Sequence, residues 1–180
     1  MKKNKRWCAN TREIVTFAVA MQSGNLLNIN LAQAAEAAKR LNIELTDRFF
    51  ADLEQEEISG GEVRLDISVK PPVGNVYKVY IKAEGYVTVA CDRCLDPLRI
   101  DVDTEDVLKI KDADPEDADA MDMLYLEANT LCYDISWQVY EIIETSLPMQ
   151  RVHPDGECNP EMLDFIMSNP EDEQEEDLDD

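Results

Sequence analysis

The sequence predicts an α+β domain built on an antiparallel, hairpin-rich β-sheet, with short N-terminal helices and further helices at the C-terminal side. Two patterns indicate this class. Apolar and polar residues alternate at period two through the middle of the chain, and the strand–helix–strand alternation of a parallel sheet is absent. With 180 residues, 44% of them hydrophobic, the chain can bury one core. A barrel is one form that such a sheet could take.

The segment before the sheet predicts one short strand and two helices. Residues 27–31 are typical of a short strand, and the Ala-rich run Leu31–Leu41 has high helix propensity. Its apolar residues share one face: Leu31, Ala34, Ala35, Ala38 and Leu41. A second helix after Thr46 carries Phe49, Phe50 and Leu53. We expect both helices to serve packing.

Four strands are predicted in the centre, at residues 63–70, 76–83, 86–90 and 98–103. The first alternates Val63, Leu65, Ile67 and Val69 with polar residues, as a half-buried strand does. Turn residues at 71–75 separate the first two strands, and Glu84–Gly85 separates the second from the third. The segment Cys91–Pro97 is then the turn between the last two strands.

The C-terminal third predicts a loop, an edge strand and two helices. Residues 111–122 are acidic and without apolar period, which indicates a solvated loop, and 123–126 can return as an edge strand. Asp134 can cap a helix that Pro148 ends, with an apolar face of Ile135, Val139, Ile142 and Ile143. Asn159 and Pro160 start a second helix, with an apolar side of Met162, Phe165 and Ile166.

The ends of the chain differ in composition from its middle. We expect residues 1–25 to be a flexible basic leader, with Met21 as an alternative start, 26–167 to be a single domain, and 168–180 to be a disordered acidic tail. The formal net charge is −22. A protein this acidic favours basic partners and is repelled by duplex nucleic acid, which disfavours broad electrostatic binding to a duplex.

The sequence predicts a cytoplasmic protein without a membrane segment. The apolar run Ile14–Met21 is short, is broken by Thr16 and lacks a clear cleavage site, so it makes a poor secretory signal. Every apolar stretch is far below the roughly 20 residues that span a bilayer. Five cysteines in such a compartment are reduced, and they act more often as metal ligands or core residues than as disulfides.

Four residues form a candidate metal set: Cys91, Cys94, His153 and Cys158. The C-x-x-C pair lies in a tight turn that can aim two thiolates at one ion, and a Pro/Gly loop carries the imidazole and the third thiol. A Cys3His set suits closed, tetrahedral zinc. The alternative is that the C-x-x-C merely packs under the hairpin and His153 is an ordinary loop residue.

Catalytic chemistry has little support in the sequence. A redox C-x-x-C needs a helix start after a strand, and Pro97 disfavours one here. A Cys–His enzyme would depend on His153, the sole histidine, with no orienting partner in view, and Cys132 fits a core residue better. Phosphate-cradling loops are absent, because residues 59–61 are a short turn without the required glycine order.

One strand face could contact RNA. Lys78, Tyr80 and Lys82 share a side of the second predicted strand and would form a small basic–aromatic patch. The alternative is an ordinary solvent-facing side, which charge alternation also marks.

The segment Gly85-x-Val87-x-Val89-x-Cys91-x-Arg93-Cys94-Leu95 resembles the strand-borne C-x-R-C-L of the YceD family, the large ribosomal RNA subunit accumulation proteins. The resemblance continues from Asp134–Ile135 to Leu147–Pro148, and covers roughly residues 26 to 167. The Phe49–Gly61 region and the residues His153, Gly156, Cys158, Asn159 and Met162 are similar to a Bacteroidetes-type variant. Many members carry a cysteine pair where this chain has His153 and Cys158.

The resemblance implies a non-enzymatic role in ribosome biogenesis, in the synthesis, processing or stability of large-subunit ribosomal RNA. It offers no catalytic residue to carry over. Combined with the acidic charge, it suggests action through a basic partner, such as a ribosomal protein or a large-subunit assembly intermediate, with at most a local rRNA contact. Two alternatives stay open: a zinc-stabilised RNA-binding module and a Cys-dependent enzyme.

Overall fold

A computed structural model describes residues 27–37, 40–111, 123–125 and 133–168. The strands are β1 (Asn28–Ile29), β2 (Leu41–Leu45), β3 (Ile58–Val73), β4 (Val76–Ala90), β5 (Pro97–Lys111), β6 (Leu124–Tyr125) and β7 (Tyr133–Asp134). The helices are α1 (Leu31–Ala37), α2 (Asp47–Asp52), α3 (Ser136–Ser146) and α4 (Pro160–Ser168). The predicted α+β class is confirmed. The predicted leader, most of the acidic loop, and the tail from 169 onward lie outside the described residues.

The main sheet is a long three-stranded meander with two short edge strands. Its order is β2-β3-β4-β5-β6, with antiparallel pairing except between β5 and β6, which are parallel. β1 and β7 form a separate two-stranded antiparallel pair. Within the described residues the sheet stays open, because its two edge strands do not pair with each other. The barrel form is therefore not adopted.

The core lies on one face of this sheet, as the period-two pattern predicted. Val63, Leu65, Ile67 and Val69 on β3 are all buried. The covering helices contribute fully buried side chains from α1, α2 and α3: Leu31, Phe49, Phe50, Val139 and Ile143. The opposite face of the sheet carries polar and charged residues and is solvent-exposed, as is usual for an antiparallel sheet covered on one side.

The predicted second and third strands are one continuous strand, so the break at Glu84–Gly85 was wrong. Gly85 lies in mid-strand opposite Val63, with φ of 154°. A Cβ on Gly85 would lie 2.1 Å from the Glu62 carbonyl oxygen. The glycine thus permits a close approach of two backbones rather than a turn.

The stretch Ser59–Gly61 was also predicted as a turn, and it is part of β3. Gly61 lies opposite Val87, where an added Cβ would meet the Tyr86 carbonyl oxygen at 2.4 Å. The reason for both errors is the same, because long-range pairing between β3 and β4 overrides the local turn preference of glycine.

The predicted helix Leu31–Leu41 is shorter than expected. α1 ends at Ala37, and Leu41 begins the edge strand β2, where it pairs with Ile67. The alternation of Leu41, Ile43 and Leu45 with polar residues was the overlooked signal.

The predicted start of α4 at Pro160 is confirmed, whereas α3 begins one residue later than predicted, at Ser136, with Ile135 rather than Asp134 as its cap residue. The Asp134 carboxylate accepts the Ser136 backbone N–H at 3.0 Å, and the Asn159 side chain accepts that of Glu161 at 3.1 Å. Phe165 is an exception to the predicted apolar side of α4, since it is 62% exposed. Among the described helices, none is long and apolar enough to cross a bilayer.

Candidate metal centre

The first half of the site is the turn between β4 and β5. Cys91 follows the last residue of β4, and β5 begins three residues after Cys94. The Cys91 backbone N–H donates to the Asp96 carbonyl at 2.9 Å, and the Leu95 N–H donates to the Cys91 carbonyl at 2.9 Å. Leu95 has φ of 62°, a left-handed conformation that is costly for a leucine. The turn therefore bends sharply enough to bring both thiols to one side.

The second half is the loop between α3 and α4. The Glu157 N–H donates to the Pro154 carbonyl at 3.0 Å, which closes a β-turn. Gly156, with φ of 85°, takes the turn position that disfavours a side chain. This turn places His153 and Cys158 on either side of it, so that both reach the β4–β5 turn.

The structure brings all four predicted ligand residues together. The candidate donor atoms of Cys91, Cys94, His153 and Cys158 lie within 4.8 Å of one another. The Cys91 and Cys158 Sγ atoms are 4.0 Å apart, and Cys94 Sγ is 3.4 Å from His153 Nδ1. Ligand atoms around a tetrahedral zinc ion lie roughly 3.5–3.8 Å apart, given Zn–S near 2.3 Å and Zn–N near 2.0 Å. These four residues lie close enough to hold a metal ion.

The orientation of His153 leaves the correct ring nitrogen for a metal. Its Nε2 is 3.3 Å from the Pro97 carbonyl oxygen, which can only accept a hydrogen bond. Nε2 therefore carries the proton in this contact, and in the neutral ring the lone pair falls on Nδ1, which faces Cys94. Metal-binding histidines typically donate the N–H of the ring nitrogen that does not bind the metal to such an acceptor.

The electrostatics of the site favour a thiolate at Cys91. Burial raises the pKa of its thiol, but backbone N–H groups of Arg93, Cys94 and His153, together with the Cys94 side chain, outweigh burial and lower the pKa to about 6. For His153, burial lowers the pKa, and hydrogen bonds with Cys94 and Cys91 raise it more.

Cys158 behaves in the opposite way. Burial raises the pKa of its thiol, and the hydrogen bonds with Cys94 and Cys91 raise it further. Negatively charged sulfurs this close repel one another. A divalent cation would remove that conflict, so the donor set fits a metal.

An apolar layer covers the site. All three cysteines are buried, with Cys91 at 0% and Cys158 at 7% exposure. Four partly buried residues pack against them: Leu98, Val152, Met162 and Leu163. Since two of these belong to α4, that helix closes the site from the C-terminal side. An enclosed four-ligand site is typical of structural rather than catalytic zinc.

The two residues between the cysteines hold the second loop in place, which the sequence did not reveal. The Asp92 N–H donates to the Arg151 carbonyl at 2.8 Å, and the Arg151 N–H donates to the Asp92 carboxylate at 2.7 Å. The Arg93 guanidinium donates to the His153 carbonyl at 2.7 Å. Fifty-nine or sixty positions separate these partners, so no local pattern could have signalled them.

The predicted basic–aromatic patch is only partly available. Lys78, Tyr80 and Lys82 do share the solvent face of β4, and Tyr80 is 38% exposed. Lys82 is engaged in an ion pair with Glu84, which also pairs with Arg64. Of the other basic residues near the strands, Arg99 lies over the Tyr86 ring at 3.5 Å from its centre.

Comparisons of the sequence with curated proteins and with solved structures give no significant match. A family model described as large ribosomal RNA subunit accumulation protein YceD matches residues 79–180, which is more than half of the chain. The match begins within β4 and includes all four candidate ligands. The resemblance noted around Phe49–Gly61 lies outside the matched residues. The chain belongs to the YceD family of large ribosomal RNA subunit accumulation proteins.

Proposed function

We propose that this chain is a non-enzymatic, cytoplasmic factor in ribosome biogenesis that supports the synthesis, processing or stability of large-subunit ribosomal RNA. The observation that carries the proposal is the family match over residues 79–180. The family description names the accumulation of this RNA, and the role of the present chain follows from its membership.

The proposed partner is basic, such as a ribosomal protein or a large-subunit assembly intermediate. A net charge of −22 supports this, because complementary charge accelerates encounter and selects the partner. A groove between β5 and α3 gathers three carboxylates, from Asp106, Glu141 and Glu144. Gln138 also lines it, with a buried Oε1 that has no hydrogen-bond partner in the described structure. Substitution of the acidic residues of this groove therefore tests whether it binds the partner.

Zinc is the proposed metal, held by Cys91, Cys94, Cys158 and His153 through Nδ1. Its role would be to fasten the loop before α4 to the β4–β5 turn. Support comes from the four donors within 4.8 Å of one another and from the hydrogen bond that orients the imidazole. A structural ion of this kind contributes folding free energy and no reaction step.

The burial of the Cys91 sulfur supports the non-enzymatic assignment, because a substrate could not reach it. A lowered pKa at Cys91 resembles that of a catalytic thiol, but its side chain is 0% exposed. Reactive cysteines are partly exposed as well as acidic. We expect slow, uniform alkylation of all cysteines at neutral pH. Rapid labelling of a single thiol would instead favour the enzyme alternative.

The test of the main proposal is sedimentation of the tagged protein through a gradient that resolves ribosomal precursors, followed by crosslinking. We expect co-migration with large-subunit precursors and crosslinks to a basic protein. Depletion of the protein is expected to lower large-subunit rRNA relative to small-subunit rRNA. Migration with free protein only, with unchanged rRNA ratios on depletion, would refute the proposal.

A pull-down at moderate salt from nuclease-treated lysate tests the partner. We expect ribosomal protein to be retained after the RNA is digested, and Glu141→Gln with Glu144→Gln to weaken its recovery. Glu62→Gln, on the opposite face of the sheet, is the matched control. Recovery of RNA without any ribosomal protein would contradict a protein partner and favour the zinc-stabilised RNA-binding module.

A further inference from the structure

Three lysines lie in one row across the solvent face of the sheet, at its β3–β4 hairpin end. Lys70 pairs with Lys78, and Lys78 pairs with Lys109, so the row crosses β3, β4 and β5. Neighbouring strands are about 4.8 Å apart, which gives the row a width on the order of 10 Å. All three side chains are exposed.

Among the described residues, no ion pair involves this lysine row. The ion pairs of the described sheet use other basic side chains: Arg64, Lys82 and Arg99. Like charges directly opposite each other across strands are destabilising. The chain has 39 acidic residues and only 17 basic ones, so three facing lysines concentrate positive charge where the overall composition opposes it.

An aromatic side chain borders the lysine row. In the next cross-strand row, Tyr80 lies between Ser68 and Val107, and it is 38% exposed on the same face. The row beyond that contains Asp66, Lys82 and Glu105. These acids end the positive surface, which is therefore small: three ammonium groups and one ring.

We propose that the lysine row and Tyr80 together bind a short single-stranded segment of RNA. Lysines bind phosphates as point charges without reading sequence, and an exposed ring on a sheet face is a platform on which an unpaired base stacks. A duplex presents a longer array of phosphates to a protein of charge −22, whereas a short single strand can meet the positive surface alone. The inference deepens the proposed function, since the bound segment would belong to large-subunit rRNA.

Binding of a labelled single-stranded RNA of about 12 nucleotides to the purified full chain tests the proposal. Three phosphate contacts predict a salt slope of about −2, so affinity falls about 20-fold between roughly 50 and 200 mM salt. Changing all three lysines, by Lys70→Gln, Lys78→Gln and Lys109→Gln, is expected to remove most of that slope and of the low-salt affinity. Tyr80→Leu is expected to weaken binding about five-fold or more with the slope unchanged.

The controls separate this surface from charge in general and from misfolding. Arg48→Gln on α2 removes one positive charge from the covered side of the sheet and is expected to change affinity less than two-fold. The lysine variants should melt at the wild-type temperature or slightly above it, because they relieve repulsion.

Three results would overturn the proposal: no RNA binding by the wild type at low salt, equal binding by the triple variant, or tighter binding of an acidic peptide or a duplex. The assay uses purified protein, so RNA binding can be absent although the protein co-sediments with ribosomal precursors. RNA binding can equally be present when co-sedimentation is absent. The two proposals are thus refuted by different measurements.

Discussion

Removal of the metal is expected to release the C-terminal segment while the sheet persists. The site joins the β4–β5 turn to the loop leading to α4, two segments that the hydrogen bonds of Asp92 and Arg93 also link. The three cysteines form a small apolar cluster distinct from the main core, which holds Phe49, Phe50 and the buried β3 residues. Loss of zinc therefore frees this cluster first.

The size of the effect follows from linkage. A ligand present at 1,000 times its Kd stabilises the folded state by about 4 kcal/mol. For a chain of this size each kcal/mol shifts the melting temperature by about 2–4 °C, so a chelator is expected to lower Tm by roughly 8–16 °C. Cys158→Ala should produce a similar loss and abolish the effect of the chelator.

The assay combines elemental analysis, thermal melting with and without chelator, and amide hydrogen exchange. We expect one zinc ion per chain, and faster exchange after chelation in residues 149–165 than in β3 and β4. Val152→Ala is the matched control, because it removes packing beside the cysteines but no ligand, and it should keep full zinc content. A wild-type protein without zinc, whose Tm responds neither to chelator nor to Cys158→Ala, would refute the metal centre.

Three further predictions test the surroundings of the site and the sheet. Asp92→Ala removes the carboxylate that accepts the Arg151 N–H, and should weaken zinc binding about 10- to 100-fold; Asp92→Asn, which keeps an acceptor, should restore most of it in a chelator competition. Gly85→Ala places a Cβ against the backbone of β3 and should lower the free energy of unfolding in urea by about 3 kcal/mol or more. Gly74→Ala, with open space around the added Cβ, should lower it by only about 1–2 kcal/mol. Equal losses in the two variants would contradict the close approach of β3 and β4 at Gly85. Acidification should release zinc, because protons compete for three thiolates and one imidazole, and a chelator-sensitive Tm that persists unchanged at low pH would argue against these ligands.

The sequence predicted most of the strands because a sheet covered on one side needs alternation at period two. It failed where pairing across the sheet decided the outcome. Gly85 has the local signature of a turn, but β3 on one side and β5 on the other both pair with it. Leu41 fits the apolar face of the predicted helix, but it begins the edge strand β2, where its backbone pairs with β3. Neither partner can be identified from a window of neighbouring residues.

The clustering of the four candidate ligands was predictable for a different reason. The chain has one histidine and five cysteines, and the C-x-x-C spacing together with the short Pro/Gly loop selected Cys91, Cys94, His153 and Cys158 among them. The residues that hold them were not predictable. Asp92 and Arg151 are common residue types, and their contact depends on how a loop 59 positions away returns to the turn.

The candidate metal centre and the lysine row are far apart, but the pairing register of β4 and β5 relates their positions. The β4–β5 turn sets Ala90 opposite Pro97, and the same register runs without a bulge to Val76 opposite Lys111, placing Lys78 opposite Lys109. A shift of one residue in that turn would move Lys109 to the other face of the sheet. The two sites lie on the order of 40 Å apart along β4, too far for their charges to interact appreciably in salt. The β4–β5 turn thus fixes the position of the lysines, while the proposed zinc would hold the C-terminal segment, so loss of zinc and loss of the lysines should impair different steps of the proposed function.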